Sequence, residues 1–410
     1  MMGETREKNR KSAGAKNCGG KRRQDAAGRK SGGKGGRKNG KSGQPIRWKR
    51  WLWVIIPGLI MLALQFLTRK TTWFGTWYIE NIFPFFVNTV GRVMSVFPFS
   101  VVEFGLYGFI IWGIWITVSS LYKGIRRKNR GIILLGSWLH KILTAAAVLL
   151  MVYTMTCGIN YYAESFSSKE GFTVQKSSKE ELIELCNYLV AQVNEAAVGL
   201  STEDGGMLLT VDVQAEAVKA MEAAAQQYES LTGYYPRPKP VTVSWILSVQ
   251  QLSGIYSPFT VEANYNRDMT DYNIPSTACH ELSHLKGFAR EDEANFIAYL
   301  ACMASDSAEF NYSGAMLAYI HSINALYSTG DYEAWAAVRS NLCDMALRDL
   351  AANNAFWDRF EGKVAEVSNQ VNNTYLQINN QSDGVKSYGR MVDLLLAMMR
   401  EIKSGNASGN

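Results

Sequence analysis

The fold class that this 410-residue sequence predicts is mainly α with a small β element (α+β), opening with three membrane-spanning helices. Three observations predict it. Three uncharged apolar segments succeed one another between residues 51 and 162, each close to the roughly 17–25 residues that a membrane helix needs. Beyond residue 163 helix-forming residues recur at helical spacing, and only two short runs crowd β-branched and aromatic residues together. The charge is divided as sharply as the apolarity. Residues 1–50 carry 17 basic and 3 acidic side chains, residues 51–162 carry 9 and 2, and residues 163–410 carry 17 and 31, so the overall +7 hides a basic front and an acidic remainder.

That division excludes a uniformly basic nucleic-acid binder, because the positive excess sits in the tail and around the apolar segments, and no nucleic acid is expected as a partner. Wholesale disorder is excluded by 47% hydrophobic and 12% aromatic residues.

Taken in order, residues 1–50 repeat Gly, Lys, Arg, Ser and Asn (Ser31-Gly-Gly-Lys-Gly-Gly-Arg-Lys), with almost nothing apolar before Ile46. Such a segment cannot bury enough surface to offset its ordering entropy and reads as a disordered basic tail. Its basic region is too long, and a small-residue cleavage site too absent after Leu67, for a cleaved secretory signal.

The membrane region is residues 51–162, with spans at 51–67, 104–122 and 142–162. Residues 73–99, rich in Trp, Phe and Tyr and broken by Pro84 and Pro98, fit a stretch lying at the interface. The tail carries 17 Lys and Arg, the loop 68–103 carries 3 and the segment 123–141 carries 6. The positive-inside rule then puts the tail and the second loop in the cytoplasm and residues 163–410 outside. The chain is expected to be a multi-pass protein with the lipid bilayer as its first partner.

In the outer region Ser178-Lys-Glu-Glu-Leu-Ile-Glu-Leu has an N-cap serine and acids in the first turn, and residues 212–231 are Ala-rich. Pro240-Val-Thr-Val-Ser-Trp-Ile and Phe259-Thr-Val-Glu-Ala-Asn-Tyr-Asn are the strand candidates. Long helical runs follow over 312–327, 332–351, 354–375 and 386–402. Six cysteines without a CxxC pair read as single buried thiols, with a disulfide among the four from Cys186 onward left open.

The stretch that carries chemistry is Cys279-His-Glu-Leu-Ser-His-Leu-Lys-Gly-Phe-Ala-Arg-Glu-Asp-Glu-Ala-Asn. His280 and His284, four apart on a helix, project from one face and can bind one metal ion. Glu281 completes HExxH, in which the glutamate takes a proton from the water that the metal activates. Zinc suits imidazole and carboxylate in a tetrahedral site, and one ion per chain is expected. Gly287 can end this helix, and the next one offers a third ligand. Glu291 shares a face with Asn295, so Glu291 could bind the metal while the Asn295 amide orients a histidine; Glu293 points elsewhere and is the reserve. Asp292 fits a helix-start acid. His321, on a later helix, is a candidate stabiliser of a developing oxyanion, against the plainer reading of a packed histidine. The strand candidate 259–266 has two readings, an edge that pairs with an extended peptide or a core strand.

These residues resemble the gluzincins, zinc peptidases in which HExxH is followed by a helix bearing Glu-x-x-x-Asp; here the match is Glu291-Asp-Glu-Ala-Asn295, with Asn for Asp. The short gap to Gly287 also looks like the turn of metzincins, but Arg290 stands where their third histidine would be. Three spans, Ser253-Gly-Ile-Tyr-Ser-Pro-Phe-Thr, the His-Glu-Leu-Ser-His helix and the late Asp383-Gly-Val-Lys-Ser-Tyr-Gly-Arg resemble, over nearly the whole chain after the tail, a bacterial membrane family catalogued as domain-of-unknown-function family 3810. That family resemblance implies a bacterial cell membrane and supplies no substrate; the HExxH residues and their likeness to gluzincins are what point to a zincin-like zinc metallopeptidase with a peptide or protein as substrate. The alternative is a non-catalytic membrane sensor or scaffold with a structural or vestigial zinc site.

Overall fold

The computed structural model describes residues 48–126, 131–381 and 390–407. The expected disordered tail lies outside them except for a 3-10 turn at Trp48–Arg50, as do Cys18 and residues 382–389. The chain is mainly helical with few strands, as the sequence predicts.

Helix α1 (Leu52–Lys70) is followed by α2 (Thr72–Asn81), α3 (Val101–Arg126) and α4 (Gly131–Tyr153), the last continuing through a π turn at Thr154–Gly158. Three helices are long and apolar enough to cross a membrane: Leu52–Lys70, Val101–Arg126 and Leu134–Tyr162. Each overruns the expected span. Terminal Arg69, Lys123 and Arg126 stay helical with exposed side chains, and Lys141 interrupts the third apolar run without ending its helix. Leu59, Phe66, Ile111, Trp115 and Leu135 face outward, the inverse of a water-soluble helix.

The stretch 73–99 is not simply interfacial. It is helical to Met94, and Phe74, Tyr78, Phe83 and Val87 enter the main core while Trp73, Trp77, Phe85, Phe97 and Phe99 stay exposed.

Helix α5 (Lys179–Ala196) opens on a capping box: Ser178 Oγ accepts from Glu181 N at 3.2 Å and the Glu181 carboxylate accepts from Ser178 N at 2.8 Å. A hairpin of β1 (Thr202–Glu203) and β2 (Gly206–Met207) follows, then α6 (Val213–Ala224), which is capped by Asp212 and ends seven residues before the expected limit. Strands β3 (Lys239–Pro240), β4 (Gly254–Ser257) and β5 (Glu262–Tyr265) form a sheet in the order β3-β5-β4, with β3 parallel and β4 antiparallel to β5.

Two strand expectations are corrected here. The run from Pro240 stops at once, because the Thr242 and Val243 N–H groups donate to the Glu103 carboxylate rather than to a strand, and Trp245–Ser248 turns helical. The run at 259–266 shortens to β5 and is the centre of the sheet, buried on both faces, so the core reading holds and β4 is the edge.

Seven helices complete the domain: α7 (Asn273–His284), α8 (Glu291–Ala304), α9 (Ala308–Ser328), α10 (Tyr332–Arg339), α11 (Asp344–Asp358), α12 (Lys363–Ile378) and α13 (Met391–Ala407). The expected run 332–351 breaks after Arg339 because the Asn194 carboxamide takes over backbone groups at the break, donating to Asn341 O and accepting from Cys343 N, each at 2.8 Å. The run 354–375 breaks at Gly362, whose φ of +147° few other residues adopt. Helices α7, α8 and α9 pack on one another and on α5 and α6. Phe296, Tyr312, Met316, Tyr319, Leu282 and Met221 are fully buried among them, each such side chain contributing about 1.5–3 kcal/mol. Cys279 and Cys302 meet in that interface as free thiols, Sγ to Sγ 3.9 Å, and Cys157, Cys186 and Cys343 are free as well.

Candidate metal centre

Helix α7 ends where Gly287, at φ +96°, reverses the chain; its N–H returns to His284 O at 3.0 Å and Phe288 N to Ser283 O at 3.3 Å. A side chain at 287 would also strike Ile79 of α2 at 2.7 Å. The tight reversal brings the first residue of α8, Glu291, back over the histidines. Glu291 Oε2 lies 3.2 Å from His280 Nε2 and 4.0 Å from His284 Nε2. The three ligand atoms fall within 4.8 Å of one another, and among the described residues no other His, Cys, Asp and Glu group of three converges in this way.

The other ring nitrogens are committed. His284 Nδ1 sits 2.8 Å from Phe288 O. A carbonyl only accepts, so Nδ1 carries the proton and Nε2 keeps its lone pair for the shared point. His280 Nδ1 faces Asn295 Oδ1 at 2.7 Å, the orienting role that the spacing of Glu291 and Asn295 suggests. The donor set fits a zinc ion: two imidazoles and a carboxylate, in a tetrahedral site where bonds of roughly 2.0–2.1 Å set ligand atoms about 3.3 Å apart. A second observation supports the fit. Glu281 is 4% exposed, and its Oε2 has no hydrogen-bond partner among the described residues, a cost that a buried carboxylate bears only where something else is to meet it.

Burial and mutual charge set the protonation of the metal-free centre. Burial pushes the Glu281 carboxyl up to about 8, with Glu291 adding to the rise against the opposing His280. Burial also pulls His284 down to about 4. It acts on His280 in the same direction, but Glu291, Glu281 and Asn295 outweigh it and hold that imidazole at about 8.

Glu293, the reserve ligand, is turned away: its Oε1 accepts from Phe166 N at 3.0 Å, and burial raises it to about 8. Asp292 pairs with Arg390 at 3.5 Å and Arg290 at 3.9 Å, stabilising the start of α8. His321 on α9 is partly buried, and burial, with the charge of His280, lowers it to about 4. It is therefore a neutral ring at pH 7.

Three contributors escaped sequence reasoning. The Phe288 carbonyl has no sequence signal, because any residue supplies one. Gly254, at the start of edge strand β4, lies so close to Glu281 that a Cβ would collide with its Oε1. Tyr256 of the same strand sets its ring 6.1 Å from the His284 ring. Both belong to the Ser253–Thr260 stretch noted for resemblance alone.

The family model described as protein of unknown function (DUF3810) matches residues 78–396. No curated protein and no solved structure matches the chain.

Proposed function

The chain belongs to the DUF3810 family of proteins of unknown function, and we propose that it is a membrane-anchored zinc metallopeptidase with His280, His284 and Glu291 as metal ligands and Glu281 as general base. The observation that carries the reading is the convergence of two Nε2 atoms and one carboxylate beside a buried carboxylate oxygen that has no hydrogen-bond partner among the described residues. When bound, zinc supplies Lewis-acid polarisation of a carbonyl and of a water molecule.

The chain's own residues do the rest. Asn295 and the Phe288 carbonyl hold both imidazoles with Nε2 presented. Glu281 Oε2 takes a proton from the attacking water and returns it to the departing amine, so the peptide C–N bond breaks as the acyl carbon gains hydroxyl. Strand β4, with no strand on its outer side among the described residues, offers main-chain groups to an extended peptide beside Glu281. His321 remains the candidate for stabilising negative charge on the carbonyl oxygen.

A non-catalytic sensor or scaffold with a structural zinc site is the alternative. Such a site is closed by a fourth protein ligand, whereas three converge among the described residues, and a structural site has no use for Glu281. Topology belongs to the same proposal: with basic residues concentrated before α1 and between α3 and α4, the N-terminus lies in the cytoplasm of a bacterial cell and residues 163–410 outside.

The test is the full-length protein in detergent or nanodiscs. One zinc per chain, and loss of peptide hydrolysis by about 10²–10⁴-fold in Glu281→Gln with zinc retained, is the expected result. A chain that binds no stoichiometric zinc, or a variant that cleaves as fast as the unaltered protein, refutes it. Comparing membrane and secreted proteomes of cells carrying either form would then identify substrates.

A further inference from the structure

The outer ends of two of the three apolar helices are bonded directly to the sheet and loop beside the metal centre, and that of the third is bonded to α12. The last turns of Leu134–Tyr162 are sunk in the domain, with Thr154, Thr156, Cys157, Ile159, Asn160 and Tyr161 each 6% exposed or less. Thr156 Oγ1 donates to Pro258 O at 2.8 Å, and the Tyr256 hydroxyl donates to Thr156 O at 2.7 Å. Tyr256 is the residue whose ring lies beside His284. Cys157 and Tyr161 pack in a buried cluster with Ala289, two residues before Glu291.

The second helix is joined as closely. Its first N–H groups, at Val101 and Val102, donate to the Glu262 carboxylate of β5 at 3.1 and 2.9 Å, while Glu103 accepts from Thr242 and Val243 at 2.7 and 2.9 Å. From α1, Arg69 Nη2 reaches Ile378 O at 3.4 Å.

These bonds fix the height of the centre. At 1.5 Å per residue the 29 residues of Leu134–Tyr162 extend about 43 Å, the depth of a bilayer with both headgroup layers. Thr156 lies six residues, about 9 Å, below the outer end, and one tyrosine side chain separates it from His284. The centre thus stands at the level of the outer headgroups rather than above them on a stalk.

An independent observation agrees. Val243 is 43% exposed, Trp245 58%, Ile255 43% and Phe259 46%, all on the segments that make these bonds. Exposed apolar side chains bring an acidic domain no stability in water, whereas aromatic and apolar side chains at headgroup height anchor a surface in the interface.

We propose that the substrates of this centre are membrane-tethered polypeptides, lipid-linked or single-span, cut within about ten residues of the bilayer surface. An extended segment advances about 3.3 Å per residue, so a centre at headgroup height meets the first residues of a tethered chain and not its distant parts. The inference rests on the peptidase reading.

The test places the zinc-loaded full-length protein in phosphatidylethanolamine–phosphatidylglycerol liposomes. The probe is a mixed-sequence 30-residue peptide library in three forms: joined to phosphatidylethanolamine, joined to a polyleucine spanning helix, and free. Cut positions are mapped by mass spectrometry. At least tenfold faster cleavage of a tethered form, with cuts confined to about the first ten residues, supports the proposal, and the form that is cut identifies the tether. Cuts spread evenly along the 30 residues, or a free library cut as fast as the tethered ones, overturn it and leave the peptidase reading intact. No cleavage of any form by the zinc-loaded protein overturns both.

Discussion

Asn295 Oδ1 lies 2.7 Å from His280 Nδ1, one turn along α8 from Glu291, so a single helix carries one proposed ligand and touches another. If that contact fixes the ring, Asn295→Ala lowers zinc affinity by about 10–100-fold, while Asn295→Asp keeps an acceptor and restores it. Chelator competition on the full-length protein measures this. An alanine variant that holds zinc as tightly as the unaltered chain removes Asn295 from the centre.

Zinc uptake is also expected to depend on pH in a definite direction. In the metal-free centre His280 is held at about 8, chiefly by Glu291 against the effect of burial, whereas burial keeps His284 at about 4. At neutral pH His284 is therefore already neutral, and His280 must lose a proton before its Nε2 can bind metal. Affinity rises about tenfold per pH unit from 6 toward 8 and flattens above. For the metal-free fold the sign is opposite. The raised His280 contributes stability that is complete below its ordinary 6.5 and is lost as pH rises through 8. Zinc titrations at pH 6, 7, 8 and 9 with proton release followed calorimetrically give the slope; a flat profile excludes His280 as the proton donor.

Much of this centre was legible in the sequence. HExxH at helical spacing, Gly287 as a stop and the shared face of Glu291 and Asn295 are local relationships, set by 3.6 residues per turn and a short reversal. The three apolar helices were legible for a similar reason, since length and lack of charge suffice. What escaped depends on distant partners. The strand expected after Pro240 fails because Glu103, more than a hundred residues earlier, captures the Thr242 and Val243 N–H groups. The strand at 259–266 reads equally as edge or core until β3 and β4 are seen on either side of it. Periodicity likewise could not show that Phe74 and Tyr78 leave the interface for the core.

Gly254 gives a test of how tightly the edge strand holds Glu281, the proposed general base. A Cβ there would meet Glu281 Oε1, Glu281 Cγ at 2.8 Å and Asn264 O at 2.9 Å. The backbone oxygen cannot yield, so Glu281 must move. Gly254→Ala is expected to lower kcat by about 10²-fold, the size of effect that an ångström of misplacement produces, with zinc stoichiometry unchanged because Glu281 is not among the proposed ligands. Retained activity would mean that Glu281 has room the structure does not give it.

The junction between α3 and the sheet rests on Lys239. Its Nζ lies 2.6 Å from Glu262 Oε1, with the two side chains 3% and 2% exposed, and it also donates to Met94 O at 2.6 Å. Glu262 in turn receives the first N–H groups of α3. Lys239→Met keeps the volume but leaves a buried carboxylate without its cation, which costs about 3–5 kcal/mol. Adding Glu262→Gln removes the charge while its amide oxygen still accepts from α3, so the double variant should unfold at a higher temperature than the single one. Thermal unfolding of the zinc-free protein in detergent, in both variants, separates charge from packing. If the double variant is no more stable than Lys239→Met, packing and not the ion pair holds the sheet to α3.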